Sequence, residues 1–141
     1  MIILRIWKIH PKYLDCKGLY GQWLEAIIAK NSLISRDGHW YKHPQIDIFK
    51  NSKDPINAIN LYLEGIWMEG QKRGYKFKSS YLGDMYETYE MKISITRKDL
   101  YNEMNILSNR VSERDPDWYE KVFITATRVE PHPLFEVVEV V

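Results

Sequence analysis

Asp54-Pro55-Ile56-Asn57-Ala58-Ile59-Asn60-Leu61-Tyr62-Leu63-Glu64-Gly65-Ile66-Trp67-Met68-Glu69-Gly70-Gln71-Lys72-Arg73-Gly74 is the stretch that decides the fold class. Asp54 offers a carboxylate to the free amides of a first helical turn, and Pro55 sits where a missing N–H costs nothing. Ile56, Ile59, Leu63, Ile66 and Trp67 recur at the spacing of one helical face. Gly74 can take the left-handed conformation that stops a helix. The stretch therefore predicts a helix over 55–73 with a buried stripe, which needs partners of like pattern.

Such partners lie on both sides. Asp15 can cap a helix over 16–33 whose Leu19, Trp23, Ala26 and Ile27 share a face. Thr96 with Asp99 resembles a capping box, opening a helix over 97–112 that buries Leu100, Met104 and Leu107. Residues 35–40 carry turn chemistry, and His43-Pro44 begins a short helical stretch to about Lys50. Residues 75–95, aromatic and mixed in charge, are expected to form an irregular loop. Asp115-Pro116 repeats the start signal for a short helix to about Lys121. Residues 122–129 and 135–141 are rich in β-branched types and read as two short strands or as extended strips laid on the helices. At the other end, Leu4-Arg5-Ile6-Trp7-Lys8-Ile9-His10-Pro11 alternates apolar and polar and reads as an extended arm. The expected class is mainly α: a single compact helical domain over 1–141, with short extended segments at the N-terminal arm and C-terminal tail.

Composition agrees with that size and class. The 141 residues suit one core, and 45% hydrophobic with 28% charged residues excludes a disordered or fibrous chain. No apolar run is long enough for a membrane span, and Met1-Ile2-Ile3-Leu4 meets Arg5 too soon for a signal peptide, so the expectation is an intracellular protein of cytoplasm or nucleoid with no membrane contact. The lone Cys16 excludes an internal disulfide and a thiolate-rich zinc site. His39 and His43 have the spacing of two ligands on one helical turn, but Gly38 and Pro44 spoil the helix and no third ligand completes a set, so no metal is expected.

The net charge of +1 hides an asymmetry. Residues 1–78 hold 13 Lys and Arg against 7 Asp and Glu, whereas residues 79–141 hold 7 against 12. A polyanion would meet the first half. The 10 Tyr and 5 Trp could serve packing or base stacking.

Arg5-Ile6-Trp7, then His10-Pro11-Lys12-Tyr13-Leu14-Asp15, Gly18-Leu19 and Trp23-Leu24-Glu25-Ala26 resemble the pyrimidine-dimer DNA glycosylase family, the endonuclease V type first known from a bacteriophage. The similarity continues in His43-Pro44-Gln45-Ile46, in Lys72-Arg73-Gly74-Tyr75, in residues 110–119 and in Pro131-His132-Pro133-Leu134-Phe135. The resemblance implies a compact, mainly helical fold and a monomer that acts on damaged or abasic double-stranded DNA without a cofactor. It implies excision of a cyclobutane pyrimidine dimer: the N-terminal α-amine attacks the sugar C1′ and forms a Schiff base, and β-elimination cuts the strand. Glu25 matches the assisting glutamate, and the amine of Met1 would be the nucleophile.

Such chemistry suits an α-amine, whose ordinary pKa of about 7.7–8.0 leaves a useful neutral fraction at pH 7. A carboxylate beside the sugar can stabilise positive charge at C1′ and shuttle a proton. The chain departs from the family at its start, because Met1-Ile2-Ile3-Leu4 stands ahead of Arg5 where the family places the amine directly. Either the arm brings the Met1 amine back, which is the preferred reading, or Lys8 or Lys12 substitutes, or the lyase step is lost.

For DNA contact the resemblance implicates Arg5, Arg110 and Arg114, while Leu24 and Ile28 stand where the phage enzyme has arginines. Lys12, Lys17, Lys30, Lys72, Arg73 and Lys76 could supply charge instead. His10 and His43, each before a proline, could contact phosphate or order the chain locally, and Trp118 could stack on the lesion or anchor the last helix. The alternatives are a noncatalytic DNA-binding module on the same scaffold, or a protein-interaction scaffold without a nucleic-acid role.

Overall fold

Each long helix begins where a capping side chain meets amides that have no partner within the helix. In the computed structural model, which describes residues 4–83 and 87–139, the order is α1 (Cys16–Ser35), α2 (Gly38–Tyr41), α3 (Asp47–Lys50), α4 (Pro55–Arg73), β1 (Ile93–Thr96), α5 (Arg97–Arg114), α6 (Pro116–Trp118) and β2 (Phe135–Val138). Asp15 accepts from the Gly18 amide (3.3 Å), Asp54 from Asn57 (3.2 Å) and Thr96 from Asp99 (3.1 Å), as the sequence predicts. α4 ends at Gly74 with φ +79°, the left-handed stop expected there. α1 runs past residue 33 to Ser35, because Arg36 itself adopts the left-handed conformation at φ +57°.

The core lies between α1 and α4, with α5 closing one side. Leu19, Trp23, Ala26, Ala29 and Leu33 meet Ala58, Ile59, Tyr62, Leu63 and Ile66, and α5 adds Leu100, Met104, Leu107 and Val111. The small side chains Ala26, Ala29 and Ala58 let the two long helices approach closely. The α4 stripe is rotated from the one expected. It centres on Ala58, Tyr62 and Ile66, a four-residue ridge, so Ile56 points outward and Trp67 is only half-buried.

Two other expectations are corrected. Residues 75–95 are not merely irregular: Phe77 and Leu82 are buried, Phe77 stacks on Trp23 at 4.8 Å, and β1 forms at the end of the stretch. Residues 122–129 do not form a strand. Val122 and Phe123 complete a π-helical turn, Tyr119–Phe123, that carries on from α6. A strand needs a hydrogen-bonding partner, and β1 is taken by β2, which pairs with it in parallel from Ile93↔Phe135 to Thr96↔Val138.

His132 fastens the tail to α4. Its ring stacks on Tyr62 at 4.3 Å, its Nε2 donates to the Tyr62 carbonyl (2.9 Å), and its Nδ1 accepts from the Leu134 amide (2.9 Å). Burial lowers its pKa from 6.5 to about 3. The unfolded chain therefore binds a proton near pH 6.5 that the folded chain refuses until about 3, so this group's stabilisation is complete above 6.5 and is lost as pH falls. Relative to His132→Gln, the wild type should lose roughly 1.4 kcal/mol per pH unit between those limits in urea titrations. Parallel curves would show that His132 protonates in place.

Candidate active site

The arm at residues 4–10 has an extended backbone but almost no sheet partner, so its amides must be satisfied in another way. Side chains from three different parts of the chain do this. The Arg5 amide donates to Glu25 Oε1 (3.0 Å), Ile6 to Gln45 Oε1 (2.9 Å), Trp7 to Gln22 Oε1 (2.7 Å) and Lys8 to Glu103 Oε2 (2.7 Å). Gln22 Nε2 returns a bond to the Arg5 carbonyl (2.7 Å), and the Tyr62 hydroxyl lies 2.5 Å from the Trp7 carbonyl and 2.7 Å from Gln22 Oε1. Leu4, Ile6, Trp7 and Ile9 are buried in consequence. The arm is threaded through the protein rather than laid upon it.

Threading brings Arg5 to Glu25. A cleft of about 120 Å³ opens there, lined by Arg5, Trp7, Lys17, Glu25, Arg110 and Arg114, together with Gly18, Gly21 and Leu107. Gly18, Gly21 and Glu25 share one face of α1, and the two glycines leave the carboxylate uncovered. Arg5 and Arg110 lie over the Trp7 ring, with guanidinium carbons 4.5 and 5.4 Å from its centroid. The Arg5 Nε is buried and makes no hydrogen bond.

Burial raises the Glu25 carboxyl above the ordinary carboxylate range, opposed by the Arg5 amide and by the Arg110 and Arg5 charges. Arg110 is pushed the other way, its pKa lowered by burial and by the neighbouring Arg5 and Arg114. Such a cleft favours an anion at its mouth and a carboxylate at its floor. A wider groove of about 300 Å³, lined by Leu61, Glu64, Met68, Glu90, Met91, Lys92 and Leu134, sets one cation among two carboxylates instead.

Of the residues singled out in the sequence, Arg5, Glu25, Arg110 and Arg114 meet here. His10, Lys12, Arg73 and Trp118 gather instead around the turn Pro11–Tyr13. Lys12 is paired with Glu130, and Arg73 with Glu69 (2.9 Å). Arg73 also donates to the Pro11 carbonyl (3.3 Å) and lies 4.7 Å over the Trp118 ring, whose Nε1 donates to the Tyr13 carbonyl (2.9 Å). Trp118 thus anchors α6. Lys72 is exposed, and its charge helps to lower the His10 pKa.

His10 Nδ1 caps the turn at the Lys12 amide (3.0 Å), and burial lowers its pKa to about 4, leaving it neutral at pH 7. His43 Nδ1 caps the turn Pro44–Ile46 at the Gln45 amide (3.1 Å). Met1 lies outside the described residues. Among the described residues no group of three or more His, Cys, Asp or Glu could hold a metal ion, and no helix is long and apolar enough to cross a membrane.

Sequence reasoning passed over the arm's acceptors. Gln22 lies among Leu19, Trp23 and Ala26, and Glu103 between Leu100 and Met104. A polar residue on an apolar helical face was the available signal, since a buried amide or carboxylate must find partners. Lys17, one of the lysines that could supply charge for DNA contact, lines the cleft.

No curated protein and no solved structure matches the chain. A family model described as pyrimidine dimer DNA glycosylase matches residues 4–82. That span exceeds half of the 141 residues. It holds the whole arm and three of the four side chains that accept from its amides, Glu25, Gln22 and Gln45. A match centred on this construction identifies its family: the chain belongs to the pyrimidine dimer DNA glycosylases.

Proposed function

We propose that the chain excises pyrimidine dimers from duplex DNA and then cleaves the strand at the abasic site it creates, acting as a monomer inside the cell. The observation that carries the reading is Glu25, half-buried on the arm's amide at the floor of a cleft ringed by cations. Phosphates beside the lesion would be held by Arg5, Lys17 and Arg110, which place a sugar over the carboxylate. Glu25, ionised, stabilises positive charge that develops at C1′ as the glycosidic bond breaks and its electron pair leaves with the base.

A neutral primary amine bonds to C1′. Opening of the ring bond to O4′ gives the iminium, with a proton delivered to O4′. Loss of a C2′ proton then expels the 3′ phosphate by β-elimination.

The amine is the α-amine of Met1, brought back toward Glu25 by residues 2–4. The Arg5 amide already lies 3.0 Å from Glu25, and three residues reach about 10 Å. Lys12 is a poorer candidate because Glu130 holds its ammonium. Lys17, in the cleft itself, is the better substitute. A noncatalytic DNA-binding module is the second reading, favoured by one observation: Leu4, where the resemblance places the reactive amine, is buried and internal to the chain.

Borohydride trapping on abasic and dimer-containing duplexes tests the assignment. N-terminal acetylation is expected to remove trapping, and deletion of Ile2 and Ile3 to raise it. Trapping that survives acetylation but is lost in Lys17→Ala would move the nucleophile to Lys17, and no trapping under any condition would favour the module.

A further inference from the structure

We propose that Gln22 is a positioning residue for Glu25: its side-chain amide fixes the direction of the carboxylate and keeps it ionised. The inference rests on the proposed role of Glu25 and goes beyond it, to what governs the setting and the charge of that group.

An extended backbone turns the N–H and C=O of residues 5 and 7 to the same edge. On that edge the Arg5 amide meets Glu25, the Arg5 carbonyl and the Trp7 amide both meet Gln22, and the Trp7 carbonyl meets Tyr62. Gln22 therefore holds the middle of the edge, one helical turn before Glu25 on α1, and it is 1% exposed. Gln45 and Glu103 take the Ile6 and Lys8 amides on the other edge.

The Trp7 amide can only donate, so the Gln22 oxygen faces it at 2.7 Å and the amide nitrogen is turned away from it. That nitrogen carries two hydrogens and meets two acceptors, the Arg5 carbonyl at 2.7 Å and Glu25 Oε2 at 3.4 Å. Glu25 Oε1 is already taken by the Arg5 amide at 3.0 Å. Both carboxylate oxygens are thus tied on the arm's side, and each keeps a lone pair for a group in the cleft. A residue that only fastened the arm would not need the second contact. Gln45 is such a residue, bound to the Ile6 amide (2.9 Å) with no hydrogen bond to Glu25 among the described residues.

The type of residue at 22 matters as much as its place. Arg5 of the arm, Lys17 of α1 and Arg110 and Arg114 of α5 share the cleft with Glu25, and Tyr62 of α4 lies within reach of its charge. Burial works against these cations and raises the Glu25 pKa. A neutral N–H donor favours the ionised form, whereas a second carboxylate would repel it and a further cation would neutralise the charge the sugar needs.

The test is an isotope-edited NMR titration of the Glu25 side-chain carboxyl in the full-length protein, assigned by the signal that Glu25→Gln removes, with rates on dimer-containing duplex measured alongside. Gln22→Met removes both N–H donors at about the same length. It should raise the Glu25 pKa by roughly 0.5 to 1 pH unit and carry the acid limb of kcat upward with it. Above that limb kcat should fall about tenfold, while low-salt duplex affinity changes by less than about twofold because the phosphate contacts remain. Gln45→Met, which frees one arm amide without touching Glu25, should leave the Glu25 titration where it is. Should Gln22→Met fail to fold, Gln22→Glu keeps the acceptor for the Trp7 amide and sets a like charge beside Oε2, so the two carboxyls should titrate as a pair whose upper step lies above the wild-type Glu25 value.

An unchanged Glu25 titration in the folded Gln22 variant, or an equal shift in Gln45→Met, would overturn the proposal and leave Gln22 as an arm anchor. If the titration moves as expected but wild type cleaves no substrate, the positioning role stands and the glycosylase reading fails. Cleavage by wild type with an acid limb that ignores Gln22 would give the reverse.

Discussion

Glu25→Gln should abolish excision and strand cleavage while leaving duplex binding nearly intact. Glutamine keeps the shape and still accepts from the Arg5 amide, so the arm stays in place. What it removes is the negative charge that the proposed mechanism sets opposite C1′, and loss of one such electrostatic group costs on the order of 10²- to 10³-fold in turnover. Binding survives because it depends on the surrounding cations rather than on the carboxylate.

The pH profile gives an independent sign. Burial raises the Glu25 pKa, so the acid limb of the wild-type rate should fall at a pH above the ordinary carboxylate value of 4.5. Activity is present above that pKa, where Glu25 is ionised, and is lost as pH falls through it. A residual rate in Glu25→Gln with the same acid limb would exclude Glu25 as its source. Loss of binding together with turnover would mark Glu25 as an arm anchor only.

A comparably large effect, on stability, is expected from Asp15→Ala. Asp15 is 1% exposed and serves two ends of the chain: it caps α1 at the Gly18 amide and holds Arg114 through Nε (2.8 Å) and Nη2 (2.5 Å). The cap contributes about 1 kcal/mol and a broken buried pair costs several more, so the variant should lose roughly 3 kcal/mol after allowing for water that reaches the freed guanidinium. In thermal melts that is a fall of about 10 °C. Arg114→Ala should be no milder, because it leaves the buried carboxylate without its cation. A fall of only about 1 kcal/mol in Asp15→Ala would mean that the pair adds nothing beyond the cap.

The division between what the sequence reveals and what it hides follows the range of the forces. Asp15, Asp54 and Thr96 act on amides three residues away, and Gly74 acts on its own backbone, so all three long helices can be located from local letters. The rotation of the α4 stripe depends on where α1 lies, which is why Ile56 and Trp67 were misplaced. β2 is legible in its β-branched residues, but its partner lies in an aromatic, mixed-charge stretch that gives no matching signal.

The candidate site divides in the same way. Glu25 and Arg5 could be named from the resemblance, yet the hydrogen bond that joins them spans 20 residues. Arg110 enters from α5, and nothing near it in sequence points to Trp7. Lys12 and Arg73 look like phosphate ligands in the sequence, and their ion pairs with Glu130 and Glu69 join positions too far apart in the chain, or too weakly patterned, to be read from local letters.

An extended segment with free amides invites other chains to add strands, and misassembly through such edges is a hazard for any folded protein. The arm escapes it. The amides of residues 5–8 are each taken by a glutamine or glutamate side chain, and the Arg5, Trp7 and Lys8 carbonyls by Gln22, Tyr62 and the His132 amide. Side chains, unlike a neighbouring strand, complete the segment without presenting a fresh edge of their own. The chain can therefore keep residues 5–8 extended beside Glu25 without their amides offering a template for another chain to copy.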